Sequence, residues 1–188
     1  MKAVFLDRDG TMGGDGHGID PAKFTMYDFT PAAIQLLNEA GIKVFLFTNQ
    51  SRVGRGYFTE QELLKGFETM EAELKRHSAY LDGIYYCPHH PDEGCDCLKP
   101  ETGMLERARK EHGLDLKKCY VVGDNGGSDM LAASRAGTRM VLVKTGKGEN
   151  SRSEYNSNWP ETEPDHIAEN LLGAAEWILQ DTKKGANA

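Results

Sequence analysis

Asp7 and Asp9 stand one residue apart at the end of an apolar run, in Val4-Phe5-Leu6-Asp7-Arg8-Asp9-Gly10-Thr11. In an extended chain, residues i and i+2 point to the same side, so both carboxylates face one pocket and Arg8 faces away. Two carboxylates that close repel each other unless a cation lies between them. A hard, oxygen-loving ion such as Mg2+ is the usual remedy. One carboxylate of such a pair can attack phosphorus and form an aspartyl-phosphate, while the other serves as general acid and base. A lone D-x-D would read as two solvated acids at a strand end, but this one has partners downstream. Thr48 ends a second apolar run, Lys99 precedes a proline, and Asp124 and Asp129 lie in G-D-N-G-G-S-D. A hydroxyl, a lysine and an acid pair complete the positioning and charge neutralisation that phosphoryl transfer requires.

A second constellation lies in Cys87-Pro88-His89-His90-Pro91-Asp92-Glu93-Gly94-Cys95-Asp96-Cys97. C-x-H followed by C-x-C offers three thiolates and an imidazole, enough for a closed tetrahedral Zn2+ site. A closed site has no open coordination position, so this zinc would be structural, stapling a loop too polar for its own core. The alternative is a set of reduced thiols without metal. His89 has the tight C-x-H spacing of a ligand, and His90 reads as pocket-facing or solvated. Cys119 precedes a strand and reads as packing.

The remaining composition narrows the class. At 188 residues the chain fits one domain with one substantial core. The net charge of −7 argues against broad nucleic-acid binding. No apolar run approaches the ~20 residues that span a bilayer. Met1-Lys2 leads directly into the first strand, leaving no room for a signal peptide, so a cytoplasmic location is expected.

Strand and helix signals alternate. Ala3–Leu6 reads as a strand. Thr30-Pro31 reads as the N-cap and first turn of a helix over Ala32–Ala40, stopped by Gly41. Lys43–Phe47 reads as a strand, and Thr59 with Glu62 as a capping box opening a helix to about Arg76. A strand at Ile84–Tyr86, a helix at Met104–His112 before Gly113, a strand at Tyr120–Gly123, a helix at Ser128–Ala136 and a strand at Arg139–Val143 follow. Residues 144–164 read as loop, and Ile167–Leu179 as a closing helix. Residues 1–181 then form the single domain, with 182–188 as a disordered tail. This alternation specifies an α/β, Rossmann-like doubly wound parallel sheet covered on both faces. Ligands bind beyond the carboxyl ends of such strands, where Asp7/Asp9, Thr48 and Asp124 all fall. No insertion is large enough for a cap domain, so loops 12–29, 50–58 and the cysteine loop roof the pocket. Gly13–Gly18 reads either as a phosphate cradle of backbone N–H groups or as a flexible flap.

The set F-L-D-R-D-G-T, T-N-Q-S, K-P and G-D-N-G-G-S-D, in that order, resembles the phosphatase branch of the haloacid dehalogenase (HAD) superfamily over residues 3 to about 148. The resemblance implies a nucleophile at Asp7, a general acid/base at Asp9, and Thr48 and Lys99 on the transferred phosphoryl group. It also implies Mg2+ held by Asp7, the carbonyl of Asp9, and Asp124. At closer range, T-N-Q-S-x-x-x-R-G-x-F-T-E, G-I-Y-Y-C-P-H-H-P and C-D-C-x-K-P-x-x-G-M resemble the heptose-bisphosphate phosphatases and the related histidinol-phosphate phosphatases. That subgroup implies a small phosphorylated metabolite as partner, with Asn49, Gln50, Ser51 and the stretch Asp15–Gly18 in the substrate set. Two departures stand out: Leu98 replaces the arginine of C-R-K-P, and Asn125 replaces a basic residue, with one extra residue before Asp129. Arg52, where that pattern has glycine, is the candidate replacement. A nucleic-acid end as substrate, and a zinc-dependent interaction module without catalysis, are the rival readings.

Overall fold

The computed structural model describes residues 1–160 and 162–184. Strands β1 (Ala3–Leu6), β2 (Lys43–Asn49), β3 (Gly83–Cys87), β4 (Tyr120–Gly123), β5 (Arg139–Val143) and β6 (His166–Ala168) form one parallel sheet. Their order is β3-β2-β1-β4-β5-β6. The central strands are apolar on both faces because helices cover both. Val4, Leu6, Val44, Leu46 and Val122 pack toward α1 (Thr30–Glu39), α2 (Glu60–Arg76) and α6 (Leu171–Lys184). Ala3, Phe5, Phe45, Phe47 and Val121 pack toward α3 (Gly103–His112) and α4 (Leu131–Ala136). After β1 the chain winds one way to β3; from β4 it winds the other way to β6. The crevice at that reversal opens at the carboxyl ends of β1 and β4. Among the described residues no segment forms a separate cap, and no helix is long and apolar enough to cross a membrane.

Several elements differ from the sequence reading. α1 starts at Thr30, and its cap position is Phe29, with no side-chain cap. The Thr30 hydroxyl instead donates to the Met12 carbonyl at 2.7 Å, tying the helix to the loop after β1. Residues 144–164 hold a short helix, α5 (Gly148–Arg152). The sequence reading merged β6 into the last helix, because three residues show too little alternation. The side chain of Asn170, which accepts from the Gly173 N–H, marks the true start of α6. α6 continues through Lys184, so Thr182–Lys184 of the expected tail are helical, and 185–188 lie outside the described residues. Where a helix was expected from Ser128, Gly126–Met130 form a π-helical turn, with the Asp129 and Met130 N–H groups both donating to the Asn125 carbonyl. The widened turn absorbs the extra residue of G-D-N-G-G-S-D and still brings Asp129 into the crevice.

Trp159 pins the segment after β5 beside that turn. Its ring is buried against Gly126, where a β-carbon would meet it at 2.1 Å, and its Nε1 donates to the Ser151 carbonyl at 2.8 Å. The Ser151 hydroxyl in turn donates to the Asp124 carbonyl at 2.9 Å. Trp159→Ala is therefore expected to cost about 3–5 kcal/mol of stability, as for other buried aromatic truncations. Urea unfolding midpoints measure this, and a cost below about 1 kcal/mol would show that the ring carries no core load.

Candidate active site

β1 delivers Asp7 to the crevice, its N–H donating to the Val122 carbonyl of β4 at 3.0 Å. The chain then leaves the extended conformation: the Met12 and Gly13 N–H groups both fold back to the Arg8 carbonyl. Alternation ends at Asp7, yet Asp7 and Asp9 both line the crevice and Arg8 turns away from it, as expected. Its side chain is 1% exposed and lies 4.7 Å from the Phe24 ring and 5.8 Å from that of Phe67. It reaches back to grip Asp9, with Nε to Oδ2 at 3.1 Å and Nη2 to Oδ1 at 3.2 Å. Gly10 follows at φ +92°, so close to Asp124 that a β-carbon would stand 2.1 Å from Oδ2.

Lys99 is the cation at the centre. Its ammonium donates to Asp7 Oδ1 at 2.7 Å, Asp129 Oδ1 at 2.7 Å and the Phe47 carbonyl at 2.9 Å. Burial alone would lower its pKa; the Asp129 and Asp7 carboxylates reverse that and raise it. Asn49 holds the lysine from behind: its amide donates to the Lys99 carbonyl at 3.1 Å and accepts from the Lys99 N–H at 2.9 Å. The Asn49 side chain, expected in the substrate set, is thereby bonded to the Lys99 backbone while it lines the crevice.

Asp7, Asp124 and Asp129 each place a carboxylate oxygen within 4.8 Å of the others. One lysine cannot neutralise three buried acids. Burial, then the Asp7 and Asp129 charges, pushes the Asp124 carboxyl up to about 8. Burial first, then Asp7, pushes Asp129 up to about 6 despite Lys99. Such a cluster fits a divalent cation. Asp129 already accepts from Lys99 and, through Oδ2, from the Asn125 N–H at 3.0 Å. Asp7 Oδ2 and Asp124 Oδ1 remain as the oxygens free to coordinate. Burial raises the Asp9 carboxyl as well, against the pull of Arg8.

The crevice encloses about 440 Å³ and is lined by most of the sequence-derived set: Asp7, Asp9, Gly18, Asn49, Gln50, Ser51, Arg52, Lys99, Asp124 and Asn125. Thr48 stands behind this lining, fully buried, its hydroxyl accepting from Gln50 Nε2 at 2.9 Å. Asp15 does not join; it is exposed and its carboxylate accepts from the His17 N–H at 3.0 Å, shaping its own turn. Leu98 packs on the core rather than facing the pocket. Gly16 and His17 of the expected stretch Asp15–Gly18 also line it, and the structure adds Arg55, Tyr57 and Lys147 to the rim. Lys147 follows β5 at its carboxyl end, where the rule that located Asp124 applies equally. Acids floor the pocket and bases ring its mouth. Arg52 spans that mouth, donating to the His17 carbonyl at 3.2 Å and lying 5.2 Å from the Tyr57 ring.

Cys87, His89, Cys95 and Cys97 also converge within 4.8 Å. Cys87 Sγ is 3.5 Å from Cys95 Sγ and from His89 Nδ1; Cys97 Sγ is 3.1 Å from His89 Nδ1 and 3.5 Å from Cys95 Sγ. Ligands about 2.3 Å from a tetrahedral zinc stand about 3.7 Å apart, so the four atoms fit that ion. His90 stays outside, its Nδ1 accepting from the Asp92 N–H. This loop braces the rim: the Gly54 N–H donates to the Pro88 carbonyl at 2.8 Å and the Gln50 N–H to the Cys87 carbonyl at 2.7 Å. A β-carbon on Gly54 would meet the His90 nitrogen at 2.2 Å, so only glycine permits this contact.

Known proteins resemble this chain in sequence and fold. A family model described as HAD-hydrolase-like matches residues 96–174. D-glycero-beta-D-manno-heptose-1,7-bisphosphate 7-phosphatase of Yersinia pestis is 43% identical over 171 residues, covering 85% of this chain and 89% of that protein. The same enzyme of Escherichia coli (strain K12) is 41% identical over 85% of this chain and 87% of its own. The crystal structure of D,D-heptose 1.7-bisphosphate phosphatase from B. bronchiseptica, complexed with magnesium and phosphate, superposes with a TM-score of 0.86 at 34% identity. It covers 96% of this chain and 99% of that one. The chain belongs to the heptose-bisphosphate phosphatase family of HAD-like hydrolases. As a family member it is a phosphatase.

The raised carboxyls set a pH dependence. Folded, Asp124 and Asp129 hold protons at pH values where the unfolded chain, at the ordinary 3.8, has released them. Their contribution to stability is present at low pH and is lost as pH rises through about 6 and about 8. Without added divalent cation, the urea midpoint is expected to fall between pH 5 and pH 8, and Asp124→Asn to flatten that fall. A divalent cation should recover the loss at pH 8. A midpoint that rises across this window, equally in wild type and Asp124→Asn, would contradict the assignment.

Proposed function

We propose that the chain is a Mg2+-dependent phosphomonoester hydrolase acting on a phosphorylated sugar, D-glycero-D-manno-heptose 1,7-bisphosphate being the best fit. One observation carries this: a carboxylate nucleophile, Asp7, is gripped by Lys99 at the acidic floor of a cleft whose mouth is basic. Asp7 attacks phosphorus; the ester P–O bond breaks, and Asp9 gives its proton to the leaving oxygen. Asp9, now a carboxylate stabilised by Arg8, takes a proton from the water that attacks the aspartyl-phosphate. Phosphate leaves and Asp7 is regenerated. Lys99 offsets negative charge on the transferred group, and Thr48 is assigned with it by family resemblance. Mg2+ held by Asp7, the carbonyl of Asp9 and Asp124 would supply further neutralisation of the phosphoryl oxygens. Zn2+ held by Cys87, His89, Cys95 and Cys97 would fasten the loop that braces Gln50 and Gly54, without entering the reaction.

The rim supports a substrate with a second anionic group. Arg52, Arg55, Lys147 and His17 stand at the mouth, with Ser51, Gly18 and Asn125 between them. A second phosphate is attracted there, whereas the ammonium of histidinol phosphate would be repelled. The rim thereby stands in for the cations lost at Leu98 and Asn125. A cytoplasmic location fits four unpaired cysteines, three of them gathered at a thiolate metal site.

Asp7→Asn should keep the fold and abolish turnover, and Asp9→Asn should slow it roughly 10²–10⁴-fold. Steady-state rates with Mg2+ measure both; near-normal activity of Asp7→Asn would end the covalent mechanism. Arg52→Ala should lower kcat/KM more for the bisphosphate than for a matched monophosphate, and equal losses would remove Arg52 from second-phosphate binding. Metal analysis of protein purified without chelator should find one zinc per chain, and Cys95→Ser should lose it together with thermal stability. Active, reduced, zinc-free protein would show that the loop stands unaided.

A further inference from the structure

Gln50 sits in the loop that the family resemblance assigns to the substrate, yet its side chain is turned inward and is only 4% exposed. Its Nε2 donates to Asp9 Oδ2 at 2.9 Å and to the Thr48 hydroxyl at 2.9 Å. Its Oε1 accepts from Arg8 Nη2 at 3.1 Å. Both amide hydrogens and the carbonyl are therefore engaged by the catalytic end of the crevice. The orientation is chemically forced. A flipped amide would set N–H groups against the guanidinium and an oxygen against the Asp9 carboxylate. The backbone is fixed too, by the Gln50 N–H bond to the Cys87 carbonyl.

We infer that Gln50 is a positioning residue for proton transfer, holding Asp9 in its aimed position through its own amide and through Arg8, and is not a ligand of the substrate. Arg8 grips Asp9 in a fork, and a fork from the adjacent residue fixes distance better than direction. Gln50 approaches from the end of β2, the strand beside β1, and supplies the second point of support. It also settles the Thr48 hydroxyl. An oxygen that accepts from Gln50 must turn its own hydrogen away, so Thr48 is left as a donor toward neighbouring acceptors. Buried, fully satisfied networks of this kind hold one geometry, and removing one member leaves the others unpaired.

This inference rests on the phosphatase reading, and the test separates the two. The wild type, Gln50→Met and Gln50→Glu are assayed with Mg2+ on phenyl phosphate and p-nitrophenyl phosphate, and kcat/KM is compared. These esters share a shape but differ in how much the leaving oxygen needs a proton. The kcat/KM ratio covers only the steps up to cleavage of the ester, where Asp9 acts as acid. With Asp9 poorly held, the loss on phenyl phosphate should exceed that on p-nitrophenyl phosphate roughly tenfold, within the usual range of general acid catalysis. Gln50→Glu keeps the side-chain volume but sets a second carboxylate against Asp9, so it should lose at least as much. It also serves in place of Gln50→Met should that variant not fold. Equal losses on the two esters would reduce Gln50 to a structural role. Intact kcat/KM on both esters with a raised KM for the sugar phosphate would return it to the substrate. A wild type inactive on every ester would instead overturn the phosphatase reading itself.

Discussion

Three buried carboxylates around a single ammonium are the constraint on which the rest of this structure depends. Asp7, Asp124 and Asp129 come from the ends of two adjacent parallel strands and the turn after the second, and Lys99 reaches them from the segment before α3. Left to itself such a cluster would take up protons, which is the meaning of the raised Asp124 and Asp129 carboxyls. The fold tolerates it because backbone and side-chain donors surround each acid: the Lys147 N–H on Asp124, the Asn125 N–H on Asp129, and the Asn49 amide clamping the lysine. Residual negative charge is then what makes the floor receptive to a hard cation.

The same reasoning explains why a loop so far from the reacting atoms matters. Part of the basic rim, with Arg52 and Arg55, is a short segment, residues 50–58. Its backbone is stitched to the cysteine loop at Gln50 and Gly54. Gly54 is a steric requirement there, since any side chain would strike the His90 backbone. Fastening the cysteine loop therefore fastens the segment that carries Arg52 and Arg55.

Much of this was legible in the sequence, for identifiable reasons. Apolar runs such as Val44–Phe47, and alternation that sends Val4 and Leu6 one way and Phe5 the other, specify a parallel sheet covered on both faces. That Asp7, Lys99 and Asp124 meet in one crevice, and Cys87, His89, Cys95 and Cys97 in one cluster, was readable from residue types at particular strand ends or spacings. What escaped depends on where a side chain turns once packed. Arg8 does face away from the crevice, but its place between Phe24 and Phe67 and its grip on Asp9 depend on packing that spacing does not encode. Asn49 and Gln50 line the crevice as expected, but the bonds their amides make to the Lys99 backbone and to Asp9 depend on how the loops pack. β6 is too short to register against the helix that follows it, and Lys147 lies in a segment whose polar composition hides its position beside Asp124.

The central claim is that Asp7 becomes phosphorylated during turnover. Rapid acid quenching of enzyme mixed with 32P-labelled substrate and Mg2+ tests it most directly, with the Asp9→Asn variant included because its water attack lacks a base. The account predicts acid-stable label on the protein that hydroxylamine releases, located on the peptide containing Asp7 and more abundant in Asp9→Asn. Ongoing phosphate release with no label on the protein, or label on a peptide without Asp7, would contradict it.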